Sequence, residues 1–476
     1  MPITGSVGAL TYAKIELNAS REYWGYGVTT TTGTSTVVGM FRDSSQPCVY
    51  LGTKTGTDHF GILKINGDKN PVSEYFTLNE GTGANTVNTN VVTFKNVNTA
   101  NINLGLNGYQ FLNVNSANRG FASFVDGTTG NASSSLRMVN AGNVNPGDYF
   151  IHNAINDPGN AYYIASRSVP PLTNPSDIHI KKMSNTNANA NILAESVLTT
   201  PGGFSGTPAN KIYCASMSLT STGNITVFYN LWKSNTETRM ILAELNQTSS
   251  NTGYAYDVLP TVWNDPFYIA NVNLLASQHK LDSTDNIYAV GRDSTGKGYF
   301  VKTYSNGTVQ WQREVANVSL YSVALKDDSN IYVAGMKSGG NIWLAKYDNT
   351  GNIQWQNLLT SNAAFKINNL ENSNLPDNSL QITTGNDRIF VGCQRDTYAT
   401  VMCLPDNGNI PGNGSYTWSP SGTLTYAVAT ETEISGNLLL DTPASIIGVS
   451  ASEVFDAATT TSSNAPGVST LISYLG

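Results

Sequence analysis

The chain has little charge and few of the side chains that carry most protein chemistry. Asp, Glu, Lys and Arg make up 12% of its 476 residues, the net charge is −7, and asparagine alone outnumbers lysine and arginine together. The 26 basic residues form no cluster of the kind that nucleic-acid binding needs. The composition therefore argues against a nucleic-acid partner. It is typical of extracellular or particle-bound β-structures rather than of cytoplasmic enzymes.

Histidine and cysteine are scarce, with four of each, and neither set has the spacing of metal ligands. The cysteines lie in apolar, strand-like runs, which favours small reduced core residues over a disulfide framework. Two of them, Cys393 and Cys403, fall on neighbouring predicted strands, so a bridge between them stays open. We predict no bound metal and no cofactor.

Catalytic motifs are missing as well. The sequence has no P-loop and no dinucleotide fingerprint, and residues 203–206 lack the spacing of a nucleophile elbow. Carboxylates such as Asp327 and Asp328 fall in turn-like segments, where capping of the backbone explains them. We predict that the protein is not an enzyme, although a glycoside hydrolase could unite two carboxylates that are distant in sequence.

The first eight residues have neither the basic nor the apolar part of a secretion signal. The sequence also has no apolar run long enough to span a bilayer. We expect the chain to be made in a cytoplasm and, if it acts outside, to leave as part of a particle released by lysis.

The strongest positive signal is an internal repeat. Residues 285–291 (DNIYAVG) return 44 positions later as 329–335 (SNIYVAG), and Val309-Gln310-Trp311-Gln312 returns as Ile353-Gln354-Trp355-Gln356 at the same offset. One unit contains four short apolar runs, 321–325, 331–335, 342–346 and 353–356, separated by Asp, Asn, Ser and Gly turns. Four antiparallel strands in a repeat of this length describe one blade of a β-propeller.

Weaker versions of the same pattern occur through most of the chain, and seven four-stranded blades fit between residues 31 and 422, although six or eight also stay open. An all-β propeller is therefore the predicted fold. The central strand pairs of the other five blades are 47–52 with 60–67, 107–112 with 121–127, 157–164 with 178–182, 223–229 with 240–245, and 387–392 with 401–408, the last followed by an outer strand at 416–418.

The segments NIYVAG, LAKYDNTGN and IQWQ resemble blades of the bacterial β-propeller-repeat family and, more distantly, of quinoprotein-type propellers. This resemblance implies the fold and leaves function open, because propellers serve many functions. A quinoprotein dehydrogenase would need acidic calcium ligands and usually a vicinal cysteine pair, and the sequence has neither.

One aromatic-rich stretch is a candidate binding loop. Tyr254, Tyr256, Trp263, Phe267 and Tyr268 are interleaved with Asn and Asp, a mixture that stacks on sugar rings or anchors a protein interface. The simpler interpretation, which we favour, is that these rings belong to the core. The long connections at 199–210 and 360–379 are further candidates for contact loops.

Two terminal arms lie outside the predicted propeller. Residues 1–30 form an N-terminal arm or a ring-closing strand, and residues 423–476 form an apolar C-terminal arm that docks on the propeller or on another subunit. Leu-Thr-Tyr-Ala occurs in both arms, at 10–13 and 424–427, which indicates two strands in similar environments. From the sequence alone, we expect deletion of 425–476 to leave a soluble propeller that no longer assembles.

Taken together, these features resemble the propeller-bearing tail or baseplate proteins of tailed bacteriophages of the marine and cyanophage type. The resemblance implies a virion location and a non-enzymatic scaffold or adaptor in several symmetric copies, which binds other tail, baseplate or fibre proteins through its arms and contacts a host-surface glycan. The alternatives are a carbohydrate-binding, lectin-like propeller and, third, a capsid decoration protein or a glycan hydrolase.

Overall fold

The computed structural model describes most of the chain, in segments. These are residues 10–17, 22–30, 34–43, 48–55, 59–66, 72–78, 92–98, 103–112, 117–126, 132–140, 148–157, 161–169, 178–184, 192–198, 213–234, 236–248, 259, 261–367, 379–418, 422–440, 446–447, 453–457 and 472–474. Every regular element in these segments is a β-strand, which confirms the prediction of an all-β protein. Within the same segments no helix has the length and apolar character needed to cross a membrane.

Two strands open the described chain, and six antiparallel sheets of four consecutive strands follow. The opening strands are β1 (Leu10–Glu16) and β2 (Trp24–Thr30). The sheets are sheet 1 with β3 (Ser35–Asp43), β4 (Cys48–Thr55), β5 (His59–Asn66) and β6 (Val72–Leu78); sheet 2 with β7 (Val92–Asn98), β8 (Asn103–Leu112), β9 (Ala117–Asp126) and β10 (Ala132–Asn140); sheet 3 with β11 (Asp148–Asp157), β12 (Ala161–Val169), β13 (Ile178–Ser184) and β14 (Ile192–Leu198); sheet 4 with β15 (Cys214–Leu219), β16 (Ile225–Ser234), β17 (Glu237–Leu245) and β18 (Thr261–Tyr268); sheet 5 with β19 (Leu274–Leu281), β20 (Ile287–Asp293), β21 (Gly298–Thr303) and β22 (Val309–Val315); and sheet 6 with β23 (Val318–Asp327), β24 (Asn330–Lys337), β25 (Asn341–Tyr347) and β26 (Ile353–Ser361).

Sheet 7 combines strands from two distant parts of the sequence, residues 365–405 and residues 10–30. Its own strands are β27 (Phe365–Lys366), β28 (Leu380–Gly385), β29 (Arg388–Arg395) and β30 (Tyr398–Pro405), and β2 then pairs with β30 and β1 with β2. The prediction that residues 416–418 add a strand to this sheet is wrong. That segment contains β31 (Ser415–Thr417), which pairs with β32 (Thr423–Val428) in sheet 6, because β2 already covers the edge of β30.

One edge strand of each of the seven sheets contacts the corresponding strand of the next sheet. β3 contacts β7, and the contacts continue through β11, β15, β19 and β23 to β28, which contacts β3 again. Apolar cores lie between successive sheets, for example between sheets 5 and 6 and between sheets 6 and 7. Both faces of an inner strand are therefore covered, which explains why β20 is buried along its whole length and reads as a continuous apolar run.

The C-terminal segment passes back around the outside of the sheets. After β32 come β33 (Glu433–Ser435), β34 (Leu439–Leu440), β35 (Ile446–Ile447), β36 (Glu453–Ala457) and β37 (Ile472–Tyr474), which pair in turn with the fourth strands of sheets 5, 4, 3, 2 and 1, as β32 does with sheet 6. We call residues 423–474 the strap. The sequence leaves open whether this arm docks on the propeller or on another subunit. Its described strands pair with the chain's own sheets.

The shared Leu-Thr-Tyr-Ala tetrapeptide falls on equivalent strands. Residues 10–13 lie on β1 and residues 424–427 on β32, and each is the fifth strand of its sheet, counted from the first strand outward. The similar environments that the repeat indicates are thus present at the outer edges of sheets 7 and 6.

Candidate functional site

The structure places the described part of the aromatic stretch on a strand rather than on a loop. Trp263, Phe267 and Tyr268 lie on β18, while Tyr254 and Tyr256 fall outside the described residues. Phe267 is 2% exposed in the core between sheets 4 and 5, and the Arg239 guanidinium lies 4.8 Å from the centre of the Tyr268 ring. These contacts give Phe267 and Tyr268 packing roles within the molecule.

Trp263 belongs to a series that the sequence repeat does not reveal. Its Nε1 donates to Glu244 Oε2 at 2.7 Å and also to the Ser305 carbonyl at 3.0 Å, in the turn between the third and fourth strands of the next sheet. Trp311 and Trp355 make the same bond to the carbonyls of Asn349 and Asp406, at 3.0 and 3.1 Å. Trp263 escapes detection because it precedes Trp311 by 48 positions rather than 44. The three rings fasten sheets 4 to 5, 5 to 6 and 6 to 7.

A glycine in each receiving turn makes room for the indole ring. Gly307, Gly351 and Gly408 have φ values of 86°, 81° and 80°, a left-handed conformation that glycine adopts without strain. A Cβ atom on Gly351 would lie 2.9 Å from Cδ2 of Trp311. The turn sequence therefore sets how closely the neighbouring sheet approaches.

Replacing Gly351 by alanine is expected to destabilise the protein by about 2–3 kcal/mol, because a left-handed residue gains a side chain and the indole must move away. The matched control is Gly296→Ala. Gly296 also has a positive φ, 94°, but its Cβ would meet no atom within 4 Å. The control should lose about 1 kcal/mol, and urea denaturation separates the two. Equal losses would show that the indole contact is unimportant.

Polar side chains on the first strands of sheets 4, 5 and 6 link each of these sheets to the next. The acceptor lies immediately after a β-bulge in sheets 4, 5 and 6, and it takes a backbone N–H from the first strand of the following sheet. Such edge-strand N–H groups would otherwise lack a partner in the sheet. The bonds run from His279 N to Ser216 Oγ at 2.9 Å, from Val323 N to Gln278 Oε1 at 2.9 Å, and from Ile382 N to Ser322 Oγ at 3.0 Å.

The His279 side chain also forms hydrogen bonds between sheets 4 and 5. The imidazole is 1% exposed, its Nδ1 lies 2.5 Å from Ser216 Oγ, and its Nε2 lies 2.9 Å from Thr226 Oγ1. Both ring nitrogens face hydroxyl groups in a buried site between sheets 4 and 5. His279 therefore has a structural role and no access to a substrate.

The turn carboxylates also connect sheets or cap their own turns. Asp285 accepts from the backbone and hydroxyl of Ser221 in the preceding sheet, and Asp328 accepts from Ser283 in the same way. Lys326 binds Asp387 at 2.6 Å and Asp406 at 2.8 Å, again across two sheets. These bonds support the turn interpretation of the acids. In the described segments no group of three His, Cys, Asp or Glu residues is placed to hold a metal ion.

Asp265 is an exception among the acids. It lies on β18 two residues after Trp263, and burial raises the pKa of its carboxyl group from 3.8 to about 6. The folded protein therefore holds a proton on Asp265 more tightly than the unfolded chain does. Stability must fall as the pH rises through the window between these two values.

We expect Asp265→Asn to stabilise the protein by about 1 kcal/mol at pH 8 and to have little effect at pH 4, where the wild-type carboxyl is protonated when folded. A pKa shift of this size corresponds to about 3 kcal/mol of stability. We expect a smaller effect because the Asp265 side chain is only half buried and water screens its charge. Urea titrations at the two pH values measure the difference. A gain that does not depend on pH would contradict this assignment.

The four cysteines are buried and unbridged, as predicted. Cys393 lies opposite Thr400, and Cys403 lies opposite Phe390, so the two thiols sit three residue pairs apart along the β29–β30 ladder. Three positions along a strand span about 10 Å, which is too far for a disulfide. Burial raises the pKa of the Cys393 thiol to about 12, which keeps it protonated and unreactive.

The strap carries more than half of the large apolar side chains that are exposed in the described segments. Of the seven large apolar side chains that are exposed there, four lie on the strap, namely Val428 at 69%, Ile434 at 54%, Leu439 at 53% and Leu440 at 51%. They follow one another around the outside of sheets 6, 5 and 4. Apolar groups concentrated on one exposed segment mark an interaction surface, and this outer surface is the candidate functional site.

Comparisons with known proteins identify no family. No family model matches the chain, and no curated protein matches it. Among solved structures it is similar to a polysaccharide lyase of family PL25, an ulvan lyase, at 10% identity and a TM-score of 0.43, over 78% of this chain and 91% of the lyase. It is also similar to NanB, at 10% identity and 0.32 over 84% and 69%, and to the C-terminal domain of PilY1 of Pseudomonas aeruginosa, at 10% identity and 0.29 over 87% and 92%. Likeness at this level carries no argument about activity.

Proposed function

We propose that the seven sheets are the blades of a β-propeller, and that this propeller is a rigid, non-enzymatic structural subunit. The circuit of contacts from β3 through β28 and back to β3 supports the ring. The fourth strand of each blade would lie at the rim, where the strap adds a fifth strand to blades 1 to 6 and β1 is the fifth strand of blade 7. N-terminal β2 and β1 would close the ring by completing the seventh blade, which leaves no long open edge inside the ring.

The structural role is supported by a contrast between polar and apolar side chains. The polar groups bond between blades inside the molecule, and the apolar groups of the strap are exposed. Buried or half-buried polar groups such as His279, Gln278 and Ser322 are used in bonds between blades, whereas Ile434, Leu439 and Leu440 on the strap face outward. A rigid ring with an apolar outer band fits a subunit that packs against other proteins.

The particle we propose is the virion of a tailed bacteriophage, with the propeller in the tail, baseplate or fibre as a scaffold or adaptor in several symmetric copies. The support is compositional. A chain with 12% charged residues and 43 glycines builds turns and polar ladders rather than salt bridges. A host-surface glycan is a further proposed contact of the exposed loops.

Quantitative mass spectrometry of particles purified from a host that encodes this chain tests the proposal. The protein should be present at a fixed copy number that survives density-gradient purification. Replacing Ile434, Leu439 and Leu440 together by aspartate should reduce incorporation at least tenfold while the melting temperature stays unchanged. The matched control is Thr430→Asp, Thr432→Asp and Asn437→Asp, three exposed polar positions on the same strap.

Two outcomes would overturn the structural role. The first is absence of the protein from particles, and the second is equal incorporation of both triple variants. Binding of the isolated protein to a glycan array, without particle association, would instead favour the lectin alternative. Turnover of a polysaccharide that is lost on replacing a carboxylate would favour the hydrolase.

A further inference from the structure

The second glutamine of each Gln-Trp-Gln repeat holds the strap by its backbone. Gln356 Oε1 accepts from Glu431 N at 2.9 Å, and its Nε2 donates to the carbonyl of the same residue at 3.2 Å. Gln312 treats Leu438 identically, at 3.0 and 3.1 Å. Each side-chain amide thus pairs with both polar atoms of one strap residue, as a neighbouring strand would.

The same register is repeated from sheet 6 to sheet 5. Ala429 N donates to the Gln356 carbonyl at 2.9 Å, and Gly436 N donates to the Gln312 carbonyl at 3.0 Å. The strap advances seven residues between the two sheets in both sets of bonds, from 429 to 436 and from 431 to 438. Seven extended residues span about 23 Å. Sheets 5 and 6 therefore bind the strap through equivalent glutamines, at strap positions that are seven residues apart.

Recognition at these two positions depends little on strap side chains. Glu431 is acidic and ion-pairs with Lys337, whereas Leu438 is apolar and 5% exposed, yet the glutamines bind both in the same way. Between residues 430 and 440, Leu438 is the one side chain that is buried. Backbone bonds dominate, as in proteins that bind a peptide by adding it to a sheet edge.

We propose that Gln312 and Gln356 make the outer edges of sheets 5 and 6 a binding site for an extended polypeptide segment, and that residues 429–440 of the chain itself fill this site. A separate peptide with the strap sequence binds there when the chain's own segment is disabled. This site does not depend on the proposed role in a virion.

The test uses full-length protein carrying Glu431→Pro and Leu438→Pro, which removes the two N–H groups that the glutamines accept. A fluorescein-labelled peptide of residues 427–442 should bind this variant in an anisotropy titration. Adding Gln312→Ala and Gln356→Ala should weaken binding at least tenfold. The control peptide carries proline at both clamped positions and should not bind.

A second measurement keeps the inference testable if the proline variant does not fold. In otherwise wild-type protein, Gln312→Ala with Gln356→Ala should speed hydrogen exchange of amides 429–440 at least tenfold. The matched control is Gln310→Ala with Gln354→Ala, because these first glutamines bond Asn286 and Asp348 rather than the strap.

The inference fails if the two pairs of glutamine variants exchange at the same rate. It also fails if the peptide does not bind a folded proline variant whose strap amides exchange freely, or if binding persists without the glutamines.

Discussion

Trp24→Ala is expected to destabilise the protein by about 3–5 kcal/mol, the usual cost of removing a fully buried indole. Trp24 is 1% exposed on β2. Its ring packs edge-on against Tyr26 with centroids 5.4 Å apart and lies 6.0 Å from Phe390 of β29. β2 and β1 are the strands through which the N-terminal segment completes sheet 7, so the lost packing weakens the attachment of this segment to sheet 7.

Urea denaturation followed by tryptophan fluorescence and circular dichroism measures this loss. Tyr304→Ala is the control, because Tyr304 is an aromatic residue that is 51% exposed. Its replacement should change the free energy of unfolding by less than about 0.5 kcal/mol. If Trp24→Ala costs no more than the control, then β2 does not hold sheet 7 together.

Deleting the strap is expected to have the second large effect. A chain ending at Trp418 loses Leu424, Tyr426 and Leu438, which are 0%, 1% and 5% exposed in two different cores. Burial of three such side chains contributes about 5 kcal/mol. The deletion also leaves the fourth strands of six sheets as open edges, and open edges associate with one another. We therefore expect a less stable protein that aggregates, rather than the soluble propeller that the sequence alone suggests.

Size-exclusion chromatography and thermal denaturation check this expectation. A chain ending at Leu440 is the matched control, because it keeps the pairing of the strap with sheets 6, 5 and 4 and leaves open only the edges of sheets 3, 2 and 1. It should be intermediate in both melting temperature and aggregation. A monomeric chain ending at Trp418 with an unchanged melting temperature would contradict the structural role of the strap.

Much of the strand pattern could be predicted from the sequence because its signals are local. Runs such as 331–335 have β-branched and aromatic residues, and the turns between them carry residues suited to their backbone angles. Asp285 has a φ of 62°, and Asp282 in the same turn accepts from the backbone of Thr284 and Asn286. These preferences act over four or five residues and need no distant partner.

The contacts between sheets, and those that hold the strap with its candidate site, were harder to predict. Trp311 and Trp355 are visible as a repeat, but Trp263 performs the same task at another spacing. The glutamines that clamp the strap look like ordinary polar residues of a strand until residues 431 and 438 are placed opposite them. The glutamine side chains bond the backbone of the strap, which every residue type carries. The strap therefore needs no particular side chains at these positions, and its sequence contains no recognisable motif.

The sequence by itself determined the class of structure, the four-stranded unit and the positions of its turns. Strand propensity, the alternation of apolar and polar residues and the choice of turn residues all depend on residues that are close together in the sequence. Only the tertiary structure decided that β2 rather than 416–418 completes sheet 7, and that the C-terminal segment runs backward over six sheets. Those choices depend on which strand edges remain unpaired once the sheets have packed, and the hydrogen bonds that settle them join backbone groups that every residue type carries.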